Sequence, residues 1–284
     1  MSVTALEGPA DPAVPLILDS PHSGANYPSD FAPIPAMARV RRAEDFAVDA
    51  LFGAAPELGL PLYKALFPRI VVDVNRARDD IDPKSVTGEL PFSAAPSAKA
   101  ALGKGVVWMS APPPPEPTPL YVRPLPAEEV VRRLATYWTP YRDGLAAHIE
   151  RLRSAHGRAY YLDCHSMQSV STTMHEEGAG IPRAEIVLGD RDGTACAPEF
   201  TAAVAKALAD EGFDVAINKP YKGADLVRAH GAPAEGVHAL QIEVRRDLYM
   251  DEAALRRSSA FQDTRARLGR ALAAIAACLR EDGP

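Results

Sequence analysis

Apolar residues fall along the chain in two patterns, short continuous runs and longer stretches with helical spacing. Continuous apolar runs bounded by turn residues are typical of strands buried in a parallel sheet. They predict strands at Leu16–Asp19, Leu62–Leu66, Ile70–Val74, Gly105–Met109, Ala159–Asp163, Glu185–Asp190, Phe213–Ile217 and Val237–Val244. Helical spacing predicts helices at Ala43–Leu58, Ala127–His156, Ala197–Glu211 and Glu252–Leu279. Pro140 is expected to kink or split the second of these helices.

This alternation of strands and helices predicts an α/β protein with a mixed, mostly parallel sheet covered by helices on both faces. No repeat of fixed period and no long linker interrupts it, so residues 1–284 are predicted to form a single three-layer α/β/α domain. Ala111–Pro126 contains eight prolines, which exclude a helix there. We interpret this segment as an insertion, either a rigid loop beside the functional site or a docking ligand for another protein.

Charge and composition narrow the class of partner. The formal net charge of −6 argues against nucleic acid and anionic membranes as binding partners. The three cysteines are widely separated, which argues against a disulfide framework or a structural zinc site. The N-terminal residues lack the pattern of a signal peptide, and no stretch approaches the roughly 18 apolar residues of a membrane span. We therefore expect a cytoplasmic protein, whose oligomeric state the sequence does not indicate.

Two segments have almost the same pattern, an apolar run followed by Asp, one or two small residues and His-Ser. These segments are Leu16–Gly24 and Tyr160–Met167. Because the carboxyl ends of parallel strands meet at one edge of a sheet, His22 and His165 are predicted to lie there and to share a metal ion. Asp19 and Asp163 are candidates to orient the two imidazoles. The alternative is that each histidine only fills a hydrogen-bonding niche at a strand end.

Carboxylates elsewhere could complete such a site. Glu44 and Asp45 stand at the predicted start of the helix that follows the His22 loop. Glu243 lies in an otherwise apolar strand, where a carboxylate is costly unless it has a partner or a function. It is a candidate general base, and the alternative is a salt bridge with Arg245 or Arg246.

Asn75 and Arg76 directly follow the predicted Ile70–Val74 strand, so their side chains are expected at the same edge. Arginine binds carboxylates through two parallel hydrogen bonds, which suits it to an anionic ligand. Arg69 precedes the strand and has the same two possible roles, ligand binding or neutralisation of nearby aspartates.

Cys164 precedes His165 and suggests a Cys-His nucleophile. Neighbouring residues of an extended strand point to opposite faces, which argues against that pairing. Neither a G-x-S-x-G nucleophile motif nor a phosphate-binding P-loop occurs in the sequence.

Seven motifs occur in an order that resembles the N-formylglutamate amidohydrolase family across nearly the whole chain. They are Pro21–Gly24, Arg42–Leu51, Phe67–Arg76, Asp163–Met167, Leu188–Arg191, Asn218–Gly223 and Leu240–Met250. The resemblance implies a fold like that of the zinc carboxypeptidases and aspartoacylases. It also implies hydrolysis of N-formyl-L-glutamate, or a similar small anionic N-acyl amino acid, to formate and the free amino acid, as in histidine degradation.

The resemblance also implies ligands for one zinc ion. Carried over to this sequence, zinc is bound by His22, His165 and a carboxylate. The carboxypeptidases place that carboxylate three residues after the first histidine, where this chain has Ala25. Asp45 is therefore the preferred third ligand and Glu44 the second choice. Such a donor set also suits manganese, iron or nickel.

The remaining implied roles concern substrate and proton transfer. The resemblance implies that Asn75 and Arg76 bind the substrate carboxylate and that Glu243 is the general base. Arg76, with Arg69, is expected to stabilise the substrate carboxylate or the oxyanion, and Tyr221 is a candidate for the substrate pocket. Two alternatives remain: a hydrolase of the same fold for another N-acyl amino acid or a peptide end, and a metal-free binding protein that uses the proline-rich segment.

Overall fold

A computed structural model of the protein describes residues 2–112, 118–171 and 178–280. The chain forms two compact units and passes between them repeatedly. The first contains Met1–Ala5, Pro21–Asp45 and Lys64–Leu145, and the second contains Leu6–Ser20, Phe46–Tyr63 and Ala146–Pro284. The single domain over residues 1–284 stays a prediction.

The strands and helices are numbered in chain order. The strands are β1 (Thr4–Glu7), β2 (Leu16–Ser20), β3 (Leu62–Ala65), β4 (Val86–Thr87), β5 (Ser110–Ala111), β6 (Thr118–Pro119), β7 (Leu125–Pro126), β8 (Ala159–Met167), β9 (Ile186–Gly189), β10 (Val215–Ile217), β11 (Val237–Arg245), β12 (Met250–Asp251) and β13 (Arg256–Arg257). The α-helices are α1 (Met37–Val40), α2 (Val48–Leu51), α3 (Ala98–Ala101), α4 (Ala127–Arg133), α5 (Thr139–His156), α6 (Pro198–Asp210), α7 (Asp225–His230) and α8 (Phe261–Arg280).

Seven strands form the main sheet in the order β1-β3-β2-β8-β11-β9-β10. β8 pairs in parallel with β2 and with β11, and β10 pairs in parallel with β9. β9 runs antiparallel to β11. The predicted mixed, mostly parallel sheet is thus confirmed.

Helices of the second unit cover both faces of this sheet. Alternate apolar residues of β2, β8, β9 and β11 form one core with α2, α6 and α8. Within it the Tyr160 ring packs on Phe200 of α6, with centroids 4.5 Å apart. On the opposite face the Tyr161 ring meets His230 of α7 edge-on, at 5.8 Å. Because successive strand residues alternate between faces, this arrangement confirms the predicted α/β fold.

The predicted helix over Ala43–Leu58 is wrong, since its α-helical part is only the four residues of α2. Glu44 is extended, with φ −66° and ψ 144°, and Ala47 is left-handed, with φ 57°. This extended stretch lets the Asp45 backbone N–H donate to the His22 carbonyl oxygen at 3.1 Å. A tertiary hydrogen bond replaces the helical one there.

The predicted strand over Ile70–Val74 is also wrong. These residues are buried but form turns. The Val71 N–H donates to the Pro68 carbonyl at 3.0 Å, and the Asp73 N–H donates to the Val106 carbonyl at 2.7 Å. A continuous apolar run indicates burial but cannot separate a central strand from a buried turn.

The long helix predicted over Ala127–His156 is split as expected. α4 and α5 are joined by a π-helical turn at Leu134–Trp138, directly before the turn that contains Pro140. Proline lacks the N–H of a regular helix, and the π turn accommodates this loss.

Two further boundaries differ from the prediction. Gly105–Met109 is not a strand, although Trp108 forms an isolated bridge with Lys104 and the short strand β5 begins at Ser110. The last helix begins at Phe261 rather than Glu252, because β12 and β13 occupy the start of that segment.

The proline-rich segment is described only in part, since residues 113–117 lie outside the described ranges. On either side, β5 and β6 pair antiparallel, and β7 pairs with β4. No helix within the described ranges has the length and apolar character needed to cross a membrane.

Candidate functional site

His22 lies in the turn that follows β2, and Gly24 holds this turn against a neighbouring chain segment. A Cβ atom on Gly24 would lie 2.4 Å from the Phe67 carbonyl oxygen, so no larger residue fits. The Asn26 N–H donates to the Leu66 carbonyl at 2.9 Å. The Pro-His-Ser-Gly motif therefore fixes the backbone around His22 by close packing.

The His22 imidazole is 1 % exposed and lies between two carboxylates. Its Nε2 is 2.8 Å from Asp73 Oδ1, and its Nδ1 is 3.3 Å from Asp45 Oδ2. The short Nε2 contact indicates that Nε2 carries the proton, which leaves the Nδ1 lone pair directed toward Asp45. In this tautomer Nδ1 is the ring nitrogen that can bind a metal ion.

Asp73 is the centre of this arrangement, and sequence reasoning missed it. Its fully buried carboxylate accepts from Arg69 Nη2 at 2.8 Å, Trp108 Nε1 at 3.2 Å and the Asn75 N–H at 3.0 Å. Burial alone would raise the pKa of the Asp73 carboxyl, but the charge of Arg69 and the contact with His22 hold that pKa well below its usual range. Asp73 is thus a permanent anion against the His22 ring.

Asp45 and Glu44 are both buried but have different partners. Glu44 accepts hydrogen bonds from the Tyr27 hydroxyl at 2.8 Å and from Arg41 Nε at 3.1 Å. Asp45 faces His22, and its Oδ1 is 3.7 Å from Arg69 Nη1. Glu44 therefore has a structural ion pair, and Asp45 is the carboxylate beside the histidine.

His165 belongs to the other half of the twin pattern. β8 continues through it to Met167, so His165 stands within the strand and not beyond its end as predicted. Its Nε2 lies 2.6 Å from Asp163 Oδ1, two residues earlier on the same face. Asp163 thus contacts the imidazole that it was predicted to orient.

Glu243 stands on β11 directly opposite His165 on the parallel strand β8. Residues in register on adjacent parallel strands project to the same face. Gln241 Nε2 donates to Glu243 Oε1 at 2.9 Å, and Gln241 Oε1 accepts from the Ala224 N–H at 3.0 Å. These hydrogen bonds fix the direction of the Glu243 carboxylate. The neighbouring Arg245 forms an ion pair with Asp247 at 2.7 Å.

Three of the candidate residues can offer donor atoms to one ion. His22, Asp45 and His165 each present one such atom, and these atoms lie within 4.8 Å of one another. All three side chains are buried. Two imidazole nitrogens and a carboxylate oxygen are a donor set typical of catalytic zinc sites.

The candidate substrate residues lie in two places. In the first unit, Asn75 is buried, and the Arg76 Nε donates to the Lys104 carbonyl at 3.2 Å. In the second, the Tyr221 hydroxyl accepts a hydrogen bond from Arg183, whose guanidinium also lies over the tyrosine ring at 4.9 Å. Arg183 is a buried cation that sequence reasoning did not single out.

Cys164 faces the core, on the other side of β8 from His165. It is fully buried, and its thiol donates to the Leu162 carbonyl at 3.5 Å. Burial and the nearby Asp19 and Asp163 carboxylates raise the pKa of this thiol well above its usual value. A thiolate nucleophile is not formed in such surroundings.

Comparison with known proteins identifies the family. The family model described as N-formylglutamate amidohydrolase matches residues 14–250. The chain is 31 % identical over 248 residues to the N-formylglutamate deformylase of Pseudomonas aeruginosa, covering 85 % of this chain and 84 % of that protein. It is 28 % identical over 246 residues to the N-formylglutamate deformylase of Pseudomonas putida, covering 84 % and 83 %.

Solved structures agree with this match. The crystal structure of N-formylglutamate amidohydrolase from Ralstonia eutropha JMP134 has a TM-score of 0.92 and 39 % identity, over 99 % of this chain and 100 % of that chain. The gene product Atu2144 from Agrobacterium tumefaciens shares the fold, with a TM-score of 0.64 and 18 % identity, over 96 % of this chain and 95 % of that one. The chain therefore belongs to the N-formylglutamate amidohydrolase family, as its ordered motifs predict.

Proposed function

We propose that this protein is a metal-dependent amidohydrolase that cleaves N-formyl-L-glutamate to formate and L-glutamate. Membership of the family and the names of the two Pseudomonas relatives support the reaction. The observation that carries the proposal is the buried cluster of His22, Asp45 and His165, together with Glu243 opposite His165 in the strand register.

We assign one divalent ion, zinc by preference, to His22, Asp45 and His165. The Asp73 carboxylate, which is hydrogen-bonded to His22 Nε2, supports this assignment because it leaves Nδ1 of that ring for a metal ion. Glu44 is the weaker candidate, since its carboxylate is already bonded to Tyr27 and Arg41. A divalent ion held there supplies Lewis-acid polarisation of the formyl carbonyl and activation of a water molecule.

The side chains of the protein then transfer protons and stabilise negative charge. Glu243 takes a proton from the attacking water as the new C–O bond forms at the formyl carbon. When the C–N bond breaks, Glu243 returns that proton to the leaving amine nitrogen, so formate and the free amino acid are released. Arg69 and Arg76 offset the negative charge that develops on the carbonyl oxygen or resides on the substrate carboxylate. Asn75 and Tyr221 are assigned to substrate positioning.

Formate release from N-formyl-L-glutamate tests the proposal. Purified protein is stripped with a chelator, reloaded separately with zinc, manganese, iron or nickel, and assayed with N-formyl-L-glutamate, N-acetyl-L-glutamate and N-formyl-L-methionine. We expect loss of activity on stripping, recovery on reloading, and the highest kcat/KM for N-formyl-L-glutamate. H165A should lose both bound metal and turnover.

Other outcomes point to the alternatives. Faster turnover of a different N-acyl amino acid would transfer the proposal to that substrate. Protein that binds no metal and is unaffected by the chelator would indicate a non-catalytic binding protein. C164S should retain full activity because the thiol lies in the core, and an inactive C164S variant of native stability would instead support a cysteine nucleophile.

A further inference from the structure

Two side chains at the junction of α4 and α5 donate hydrogen bonds to the turn that carries the proposed substrate residues. The Trp138 indole Nε1 donates to the Arg76 carbonyl oxygen at 3.0 Å. Arg142 Nη1 donates to the Val74 carbonyl oxygen at 3.1 Å. The Arg142 guanidinium also lies over the Trp138 ring, with Cζ 5.1 Å from the ring centroid. This indole–guanidinium pair therefore contacts the backbone on either side of Asn75.

The π-helical turn at Leu134–Trp138 explains why several donors of this helix reach the same turn. In an α-helix, residues five positions apart differ by about 140° around the axis, because each residue adds about 100°. The i→i+5 hydrogen bonds of a π turn bring such residues to almost the same side. Arg133 precedes Trp138 by five positions and donates to the Val71 carbonyl oxygen at 3.5 Å. The π turn thus directs donors from both helices toward one segment.

The segment that receives these hydrogen bonds is buried but forms turns rather than a strand. Residues 71–75 are all buried. Buried carbonyl groups need hydrogen-bond partners, and in a sheet a neighbouring strand would supply them. Here side chains of the helices supply partners for three carbonyl groups, those of Val71, Val74 and Arg76. Removal of one such donor leaves an acceptor without that partner and loosens the backbone locally.

The Asp73 carboxylate, in the same segment, is held by different side chains. It accepts from Arg69 Nη2 at 2.8 Å and from Trp108 Nε1 at 3.2 Å, and it contacts His22 Nε2 at 2.8 Å. These three contacts do not involve the indole–guanidinium pair. We therefore expect the pair to act on the residues that follow Asp73 and to leave the proposed metal ligand His22 in place.

We propose that Trp138 and Arg142 are positioning residues for substrate binding. By holding the carbonyl groups before Asn75 and after it, they set the direction in which the Asn75 and Arg76 side chains project. This inference rests on the proposed function, in which those two side chains bind the substrate carboxylate. Side chains on a fixed backbone lose less conformational freedom when they bind an anion, so the pair should lower KM more than it raises kcat.

Steady-state kinetics of W138F and R142M test this role, with zinc-loaded protein and N-formyl-L-glutamate. Each variant should raise KM roughly 10-fold, keep kcat within about 3-fold and bind zinc as tightly as wild type. R142K should recover most of the loss, because its ammonium can still donate to the Val74 carbonyl oxygen. A merely structural role would lower the stability of the protein without separating KM from kcat.

Two variants of neighbouring residues serve as matched controls. Y137F is the control for W138F, because Tyr137 belongs to the same π turn and its ring packs on Phe67, with centroids 4.8 Å apart. R132M is the control for R142M, because Arg132 of α4 pairs with Glu129 at 2.7 Å and with Asp30 at 2.8 Å. Both controls should keep KM within about 2-fold of wild type.

Hydrogen exchange tests the same role without the reaction. Amide exchange in peptides that cover residues 70–80 should become faster in W138F and R142M and stay unchanged in both controls, because the backbone there loses a fixed partner. If wild type does not hydrolyse N-formyl-L-glutamate, the proposed function fails, and exchange still decides whether the pair holds this segment. Unchanged exchange in both variants would reject the inference.

Three kinetic results would also overturn it. An unchanged KM in W138F and R142M would mean that the pair does not serve substrate binding. Loss of kcat or of zinc without a rise in KM would mean that it acts on the chemical step or on the metal site. An equal rise of KM in Y137F and R132M would mean that any change in this helix has the same effect.

Discussion

Glu243 and His165 face each other across the parallel strands β8 and β11, in register and on the same face of the sheet. Gln241 donates to the Glu243 carboxylate at 2.9 Å and Asp163 contacts the His165 ring at 2.6 Å, so each residue is held by a partner two positions earlier on its own strand. A candidate general base and a candidate metal ligand are thus held in place by the same backbone pairing.

Removal of the Glu243 carboxylate should separate metal binding from catalysis. E243Q is expected to keep its bound metal and to lose kcat by about 10²- to 10⁴-fold, because an amide cannot accept the proton of water. Metal content and formate release measure the two effects. The control is E185Q, because the Glu185 carboxylate accepts the Asp214 backbone N–H at 3.1 Å and pairs with Arg245 at 3.8 Å, two contacts that involve no candidate metal ligand. Loss of metal from E243Q would place Glu243 among the ligands instead.

Variants of Asp45 and Glu44 test which of these two neighbouring carboxylates binds the metal. D45N should weaken zinc binding by about 100-fold or more, since even residues that only support a ligand typically contribute 10- to 100-fold. E44Q should retain zinc but lose about 1–2 kcal/mol of folding free energy, because the buried Glu44 carboxylate is the anion that Tyr27 and Arg41 contact. Competition with a chromogenic chelator and thermal unfolding measure the two quantities. The opposite pattern would make Glu44 the ligand.

Asp73 is expected to act on the metal through His22. D73N should lower zinc affinity by about 10- to 100-fold, because the amide holds the imidazole less strongly and removes a buried anion. D80N is the control, since Asp80 is a buried carboxylate that accepts from Ser97 and does not serve the histidine. Equal zinc affinities of D73N and wild type would show that the contact with His22 is only structural.

Most strands of the main sheet could be predicted from the sequence because buried strands of this fold are short continuous apolar runs. Their order in the sheet could not be predicted, since it depends on pairings between segments that are distant in sequence. The same signal failed at Ile70–Val74, where the run is buried as turns around Asp73. A run of apolar residues predicts that the segment is buried. It does not predict whether the backbone hydrogen bonds of the segment are made with a strand or with a loop, such as the loop that contains Val106.

The candidate site residues that could be predicted from the sequence are polar residues within or at the end of an apolar run. Glu243 and the histidine-containing segments stand out because a polar residue at the end of, or inside, an apolar run is costly without a function. Asp73 could not be recognised in this way. Its role depends on contacts with residues as distant in sequence as His22 and Trp108, and one sequence does not reveal such pairings.

The division of the chain into two units has a practical consequence for following its unfolding. Both tryptophans, Trp108 and Trp138, lie in the first unit, and all three cysteines, Cys164, Cys196 and Cys278, lie in the second. Indole fluorescence therefore monitors one unit, and the reactivity of the buried Cys164 and Cys196 thiols monitors the other. Without any engineered probe, the wild-type chain can report whether its two units melt together or in sequence.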